Sequence, residues 1–220
     1  MIDIKFISMD SSVIEDYPVR PAKKALPKWF KDLPREKFLL QLGNEIPTIK
    51  QCMPATDMLT SGYIIDNPAD IDLKQENAPG NYIENRVKVS DEKYYPEAHQ
   101  FEMCPVKTPS KQQWIKLKNP WMVRTPPGYS CLFIQPFYDF NPNIRLFPGI
   151  VDTDSFDTPV EFPGWVVKEH VYQAGQPLMQ VIPFKRDEWK MTMEHVETFE
   201  PAMTEELRYK DIHHAKKKFS

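Results

Sequence analysis

Long apolar runs and glycine are both scarce in this chain. No apolar run approaches the roughly 20 residues that span a bilayer, and only 7 of the 220 residues are glycine. The N-terminus, MIDIKFISMD, carries acidic residues where a signal peptide has a basic region and an apolar block. We therefore expect no membrane association, and a protein that stays in, or is assembled in, a cytosol.

Excess positive charge and paired cysteines are also missing. The net charge of −3 and the pI of about 6.0 argue against nucleic-acid binding as the main function, because that needs a basic surface. The three cysteines, Cys52, Cys104 and Cys131, are widely spaced without a CxxC pair. This spacing excludes a typical zinc site or disulfide framework and indicates reduced cysteines in or near the core.

No complete catalytic motif is present. Ser130 lies in PPGYS rather than in a GxSxG turn, and no HExxH occurs. His195 and Glu197 have the His-x-carboxylate spacing of an Fe(II) facial triad, whose third ligand would have to be His213 or His214. Too little chain separates these residues for the strands that such barrels place between ligands. A metal-dependent, oxygenase-like barrel is therefore only a minor alternative.

Proline is abundant instead, with 22 residues, about double the usual share. Proline blocks helix interiors and central strands, so much of the chain must run as extended segments and turns. From 119 to 184, short apolar runs each end in Pro, Gly or Asp, which is typical of successive short strands. We predict a mainly β protein: a Pro-rich N-terminal arm (1–45), a β-barrel or jelly-roll domain (46–200) and a C-terminal helix (201–220). Within the domain we expect strands at 48–51, 62–65, 70–73 and 114–118, a helical turn at 54–60, and one or two further strands after Phe184. The sequence does not decide whether its tryptophans at 114, 121 and 165 line a pocket or fill a core.

Both ends of the chain carry their own signals. Residues 26–34, LPKWFKDLP, place Trp29, Phe30 and Leu33 in an apolar patch among lysines. This pattern favours an arm that covers the domain or a neighbouring subunit, with a partner-binding peptide as the alternative. At the other end Thr204 is a helix cap, and Lys216–Lys218 suit the end of a helix dipole.

The strongest local signal for chemistry is residues 149–154, GIVDTD. On a strand, Asp152 and Asp154 would share one face. When two carboxylates lie so close together, the pKa of one of them is raised. Such an aspartate at a barrel mouth can hold and deprotonate a water. Aspartates at a strand end also bond to nearby backbone N–H groups and make a turn. The residues themselves leave both interpretations open.

Three segments resemble the core of the dUTPase/dCTP deaminase superfamily, a trimeric β-barrel or jelly roll. They are residues 126–129 (PPGY), 149–154 (GIVDTD) and 175–181 (GQPLMQV). The resemblance implies that Asp152 is the water-activating base and that Gln180 lies near the phosphates. Asp154, Arg124 and Tyr129 are the further candidate ligand-binding residues, with Mg²⁺ as the cofactor if the protein is an enzyme.

The sequence departs from that family at the phosphate site. The Arg-Ser-Ser loop is absent, with 134–137 (IQPF) near its place, and the Gly-rich C-terminal arm is replaced by EELRYKDIHHAKKKFS. Phosphate chemistry needs charge stabilisation by Arg, Lys or Mg²⁺. Only Arg124, Arg145, Lys185 and Arg186 lie nearby in the sequence. These departures favour a protein without catalytic activity.

The whole chain is also similar to a set of uncharacterised tailed-phage proteins of the marine, cyanophage type. The matching segments are 26–34, 52–63, 119–130 and 175–189. This resemblance implies a phage protein located in the host cytoplasm or the virion. We expect a non-enzymatic virion or assembly component, or a host-interaction factor. We expect it to form a homo-oligomer, with a trimer as the first choice, and to have a phage or host protein as a further partner. The alternative is a nucleotide-binding or nucleotide-hydrolysing enzyme with Asp152 as general base.

Overall fold

The protein is mainly β, as the sequence predicts. A computed structural model describes residues 3–79, 82–99, 111–112, 114–139 and 142–197. The predicted C-terminal helix, Cys104, His213 and His214 lie outside the described residues. No described helix is both long enough and apolar enough to cross a bilayer.

The described helices are short. The α-helices are α1 (Ser11–Asp16), α2 (Lys28–Asp32) and α3 (Met53–Thr60), and single 3₁₀ turns occupy Ala22–Lys24, Ile49–Gln51 and Glu92–Tyr94. The first half of the chain contributes the strands β1 (Lys5–Ile7), β2 (Arg20–Pro21), β3 (Glu36–Leu39), β4 (Asn44–Pro47), β5 (Tyr63–Asp66), β6 (Ile71–Ala78), β7 (Tyr82–Val89) and β8 (Glu97–His99). The second half contributes β9 (Lys111–Gln112), β10 (Trp114–Leu117), β11 (Met122–Arg124), β12 (Tyr129–Ile134), β13 (Ile144–Leu146), β14 (Gly149–Val151), β15 (Phe162–Val166), β16 (His170–Tyr172) and β17 (Pro177–Lys185).

These strands form open sheets rather than a barrel. A five-stranded sheet has the order β14-β12-β17-β5-β2, and two four-stranded sheets have the orders β13-β15-β10-β8 and β16-β6-β7-β9. Two small sheets pair β1 with β11 and β3 with β4. The predicted barrel closure is therefore wrong for the described strands. The five-stranded sheet ends in β14 and β2, which have only three and two residues.

Four of the sheets bury apolar residues in one core, since Val123 of β11 joins residues of the three larger sheets. Phe133 of β12 and Phe162 of β15 meet between the five-stranded sheet and the first four-stranded sheet, with ring centroids 6.0 Å apart. Ile71 and Leu73 of β6 belong to the same buried cluster. The core therefore lies between facing, mainly antiparallel sheets and unites strands from both halves of the chain.

The tryptophans of the strand region are packing residues, since Trp121 belongs to this core and Trp114 is buried in an aromatic cluster outside it. Trp114 and Trp121 are buried. The Trp114 ring lies 4.9 Å from that of Phe147 and 5.1 Å from that of Trp165, between centroids. These rings serve packing, which the sequence left undecided.

Proline and glycine act locally as the sequence predicts. In 126–129, the backbone N–H of Tyr129 donates to the carbonyl of Pro126 at 3.2 Å, and Gly128 has φ 84°. Proline followed by a left-handed glycine is the pattern of a type II turn. This turn leads directly into β12.

Two local predictions fail. A strand is expected at 48–51, but Ile49–Gln51 is a 3₁₀ turn capped by Thr48, whose Oγ1 accepts from the backbone N–H of Lys50. Such a side-chain bond offers the backbone an alternative to a sheet. Strands are also expected after Phe184, yet β17 ends at Lys185 and residues 186–197 pair with no described strand.

Candidate functional site

The two predicted site aspartates lie in a turn rather than on a strand. β14 ends at Val151, and the carbonyl of Asp152 accepts the backbone N–H groups of Ser155 and Phe156 at 3.0 and 2.9 Å. Thr153 is buried between the two aspartates, with its Oγ1 2.8 Å from Oγ1 of Thr125. The segment that follows β14 is therefore a turn.

Arg186 joins both carboxylates. Its Nη1 lies 3.0 Å from Oδ1 of Asp152 and 3.0 Å from Oδ1 of Asp154, and its Nη2 also donates to Asp154. Nη1 donates to Oγ of Ser130 at 2.9 Å, and that hydroxyl donates to Asp152 at 2.6 Å. We call Ser130, Asp152, Asp154 and Arg186 the Arg186 anchor. A guanidinium with several fixed donors suits this paired arrangement.

The backbone strengthens the anchor. The N–H of Gly128 donates to Oδ2 of Asp154 at 2.8 Å, and the N–H of Arg186 donates to the carbonyl of Gly128 at 2.8 Å. The Arg186 guanidinium, followed by the Gly128 N–H, holds the pKa of Asp154 below its usual range. The turn before β12, the end of β14 and the residue after β17 are thus bound together.

Gln180 does not join this group. It is fully buried, and its Nε2 donates to the carbonyls of Met58 and Ser61 at 2.8 and 2.9 Å. Gln180 lies opposite Ile134 in the ladder, whereas Ser130 of the anchor lies opposite Phe184. Four strand residues cover about 13 Å. The expectation that Gln180 and Asp152 meet at one rim is therefore wrong, because the glutamine side chain closes the end of α3 instead.

The remaining candidates divide between two places. Tyr129 adjoins the anchor through its carbonyl, which accepts from Arg186 Nη1 at 3.3 Å and from Thr125 Oγ1 at 3.1 Å. Arg124 is exposed on β11, opposite Lys5 of β1. Asp152, Asp154 and Tyr129 are therefore brought together, and Gln180 lies apart from them. Sequence reasoning named Arg186 only as one of four nearby cations.

An exposed arm begins at the anchor. All residues from 187 to 197 are exposed, and we call this segment the C-terminal arm. Trp189, Met191 and Met193 are 89%, 80% and 87% exposed, at every second position. Isolated exposed apolar residues are ordinary, whereas these three large ones follow one another in regular alternation on one segment.

The β3–β4 hairpin is a second exposed apolar element. Its strands pair only with each other among the described residues. Phe38, Leu40 and Leu42 are all exposed at or next to its turn. Large apolar side chains are thus exposed on two segments, the C-terminal arm and the β3–β4 hairpin.

The predicted facial-triad residues also lie on the arm. His195 and Glu197 are both exposed there. In the ranges that the structure covers, no group of three His, Cys, Asp or Glu side chains is arranged to hold a metal ion. Comparison with protein-family models and with curated protein sequences finds no match for this chain.

Proposed function

We propose that this protein is a non-enzymatic phage protein, a virion or assembly component or a host-interaction factor, whose copies associate through the C-terminal arm. The observation that carries the proposal is the exposed alternation of Trp189, Met191 and Met193. The phage context, in the host cytoplasm or the virion, rests on the resemblance of four sequence segments to tailed-phage proteins.

The arm has the chemistry of an exchanged segment. Burying a large apolar side chain stabilises a contact by about 1.5–3 kcal/mol, so three of them favour association strongly. Apolar residues at every second position of an extended segment present one face to a partner. An extended segment can also add to a sheet edge through its backbone. The short edge strand β14, with Ile150 exposed, lies next to the anchor.

A trimer is the proposed oligomer. Trimers are typical of the dUTPase-like proteins that the sequence resembles, and the facing sheets here are compatible with a jelly-roll relationship. An arm that leaves each copy at a fixed point suits exchange around a ring.

The Arg186 anchor supports a structural rather than a catalytic role for the aspartates. A general base needs a free carboxylate within reach of a water. Here Asp152 accepts from Ser130 and Arg186, and Asp154 accepts from Arg186 and Gly128. These contacts fix the point where the arm departs.

The assembly proposal is tested by light scattering coupled to size exclusion at micromolar concentration. We expect a mass of about 77 kDa, three times the 25.8 kDa of one chain. Replacing Trp189, Met191 and Met193 together by serine should give monomer. The matched control replaces Lys190, Thr192 and Glu194 by serine on the alternate positions of the same arm and should leave the mass unchanged. A wild-type monomer would contradict the proposal.

A nucleotide-binding or nucleotide-hydrolysing enzyme with Asp152 as base and Mg²⁺ as cofactor is the second candidate. The observation in its favour is that the Asp152 side chain is 60% exposed, so solvent reaches it beside a cation. Tight ligand binding raises the melting temperature by mass action. We expect no shift with dUTP or related nucleotides, with or without Mg²⁺. A shift that Asp152→Asn abolishes would replace the first proposal by this one.

A further inference from the structure

A cleft of about 310 Å³ opens where α2, the loop after β12 and the strand β16 meet. Its lining includes Trp29, Tyr138, Asp139, His170, Tyr172 and Gln176. This volume is at the lower end of the usual range for ligand pockets, about 300–1,000 Å³. The cleft is separate from the Arg186 anchor, which contributes none of the lining residues.

The walls of this cleft are aromatic. His170 and Tyr172 are two apart on β16 and so share one face, with ring centroids 5.1 Å apart and planes at 87°. Trp29 comes from the LPKWFKDLP segment. Its neighbour Phe30 is buried and holds α2 in place, with the two rings 5.6 Å apart between centroids. Trp29 therefore stays partly exposed on a fixed helix.

Polar groups converge among the rings. Gln176 uses its Oε1 to accept the backbone N–H of Gln173 at 3.1 Å, which leaves its amide N–H groups as donors. Asp139 adds two acceptor oxygens. The cleft thus offers both donors and acceptors beside flat apolar faces.

The titrating groups of this region are perturbed together. Burial raises the pKa of Asp139, against the opposing influence of Arg145 and His170. Burial, followed by the Asp66 charge, raises the pKa of Tyr138 to about 12, and burial followed by the Asp139 charge raises the pKa of Tyr172 to about 12. Perturbed groups that cluster in a concave site are typical of binding sites.

The charges identify the class of ligand. Asp139 is the one acid among the described lining residues, and Arg145 and His170 lie close enough to offset it. No lysine or arginine of the described ranges lines the cleft, and Asp139 would repel a phosphate or carboxylate ligand. A cation would meet the opposing field of Arg145. A neutral ligand with apolar faces and many hydroxyls matches this cleft, because its faces can pack on the aromatic rings and its hydroxyls can bond to the Gln176 amide and the Asp139 carboxylate.

The other large cleft, of about 620 Å³, contrasts with this one. Its polar groups are already paired with one another, since Tyr94 and Lys93 donate to Asp10 at 2.8 and 3.0 Å. Those contacts leave fewer groups to recognise a polar ligand. The smaller aromatic cleft is the better recognition site.

We propose that the aromatic cleft binds a neutral saccharide, as one sugar ring or the end of a glycan. The sugar's C–H face packs on Trp29 and Tyr172. Its hydroxyls donate to Asp139 and accept from the amide of Gln176. None of the cleft residues belongs to the C-terminal arm, so the sugar-binding proposal does not depend on self-association.

The test is saturation-transfer NMR on the full chain with a panel of neutral hexoses and N-acetylhexosamines, and with choline and inorganic phosphate as charged comparators. We expect transfer to the ring protons of at least one sugar. Trp29→Ala and Asp139→Asn should each weaken binding at least tenfold. Both positions are exposed, so neither change endangers the fold. Tyr95→Ala, which removes an exposed aromatic ring outside the cleft, is the matched control and should bind as wild type.

Three results would overturn the proposal. They are no transfer to any sugar at millimolar concentration, sugar binding that Trp29→Ala and Asp139→Asn leave unchanged, and binding of choline or phosphate in place of sugars. Circular dichroism of each variant confirms that a loss of binding is not a loss of fold.

Discussion

At the scale of single residues, Arg186 organises one end of the five-stranded sheet. Its guanidinium contacts Asp152, Asp154 and Ser130, and its backbone N–H is bonded to Gly128. Lysine presents a single point charge and cannot reproduce this planar set of donors. The position therefore depends on the geometry of arginine as well as on its charge.

The ion pair between Asp154 and Arg186 gives a pH-dependent stability. The pKa of Asp154 is lowered in the folded protein from its ordinary value of 3.8, so the folded state favours the carboxylate. This contribution is fully present above that ordinary value and is lost as the pH falls through the lower, folded pKa. We expect Asp154→Asn to melt a few degrees lower than wild type at neutral pH, and the difference to shrink steadily as the solution is acidified below pH 3.8.

Melting curves from neutral to strongly acidic pH check this expectation. Asp157→Asn, at an exposed position three residues away, is the control and should track wild type throughout. A difference at neutral pH that persists unchanged in acid would mean that the carboxylate's charge is not the cause.

Two kinds of residue at the candidate site differ in how far the sequence predicts them. Asp152 and Asp154 belong to a local turn whose signals lie within the GIVDTD segment, so the turn could be predicted. Gln180 bonds to Met58 and Ser61, about 120 residues earlier in the chain. That pairing depends on how β17 packs against α3 and β5, which no local pattern contains. The same holds for Arg186, whose partners come from two other strand ends.

At the scale of elements, β5 and β17 approach each other very closely where α3 ends. Gly62 follows α3 with φ +67°, and a Cβ there would collide with the carbonyl oxygen of Val181 and lie 2.9 Å from its carbonyl carbon. Only glycine combines this backbone conformation with this proximity. The helix, the tight connection and the strand pairing therefore depend on one another.

Gly62→Ala should destabilise the protein by about 3 kcal/mol or more, since a left-handed alanine costs about 1–2 kcal/mol and the collision adds to it. Gly43→Ala is a matched control, because Gly43 has φ +66° and no atom within 4 Å of the position of its Cβ. Gly43→Ala should lose only the stability that the left-handed backbone conformation costs an alanine. Urea unfolding measures both, and equal losses would show that the structure relieves the collision without losing stability.

Elements were predictable where their signals are local. The helix over 54–60, the strand over 62–65 and the strand over 114–118 are all present close to their expected bounds. Sheet order was not predictable from such signals. β17 pairs with β12 on one side and with β5 on the other, where Val181 lies opposite Tyr63 and Met179 lies opposite Ile65. Strands so far apart in the chain pair because of how the core packs, and no local pattern records that choice.

At the scale of the whole molecule, one large core is combined with segments that expose apolar side chains. The large buried cluster unites residues of four sheets, while the C-terminal arm and the β3–β4 hairpin expose their large apolar side chains. The mainly β class follows from the proline content and the short apolar runs of the sequence. The open edges of the sheets do not, because barrel closure depends on strand pairings between distant segments.

Association through the arm should make stability depend on protein concentration. A partner that binds only the folded state stabilises it by mass action. We expect the melting temperature of wild type to rise with each tenfold increase in concentration. The variant with serine at 189, 191 and 193 should melt at one temperature throughout. A wild-type melting temperature that is independent of concentration would contradict arm-mediated association.

The Arg186 anchor at the base of the arm has a geometric consequence for any assembly of these chains. Because Arg186 is held by its side chain and its backbone, the arm leaves every copy from the same point on its sheets. A contact passed on in this head-to-tail manner is repeated with a constant rotation from copy to copy. That rotation decides whether the chains close into a ring or continue as a filament, so loosening this one arginine would alter the shape of the assembly.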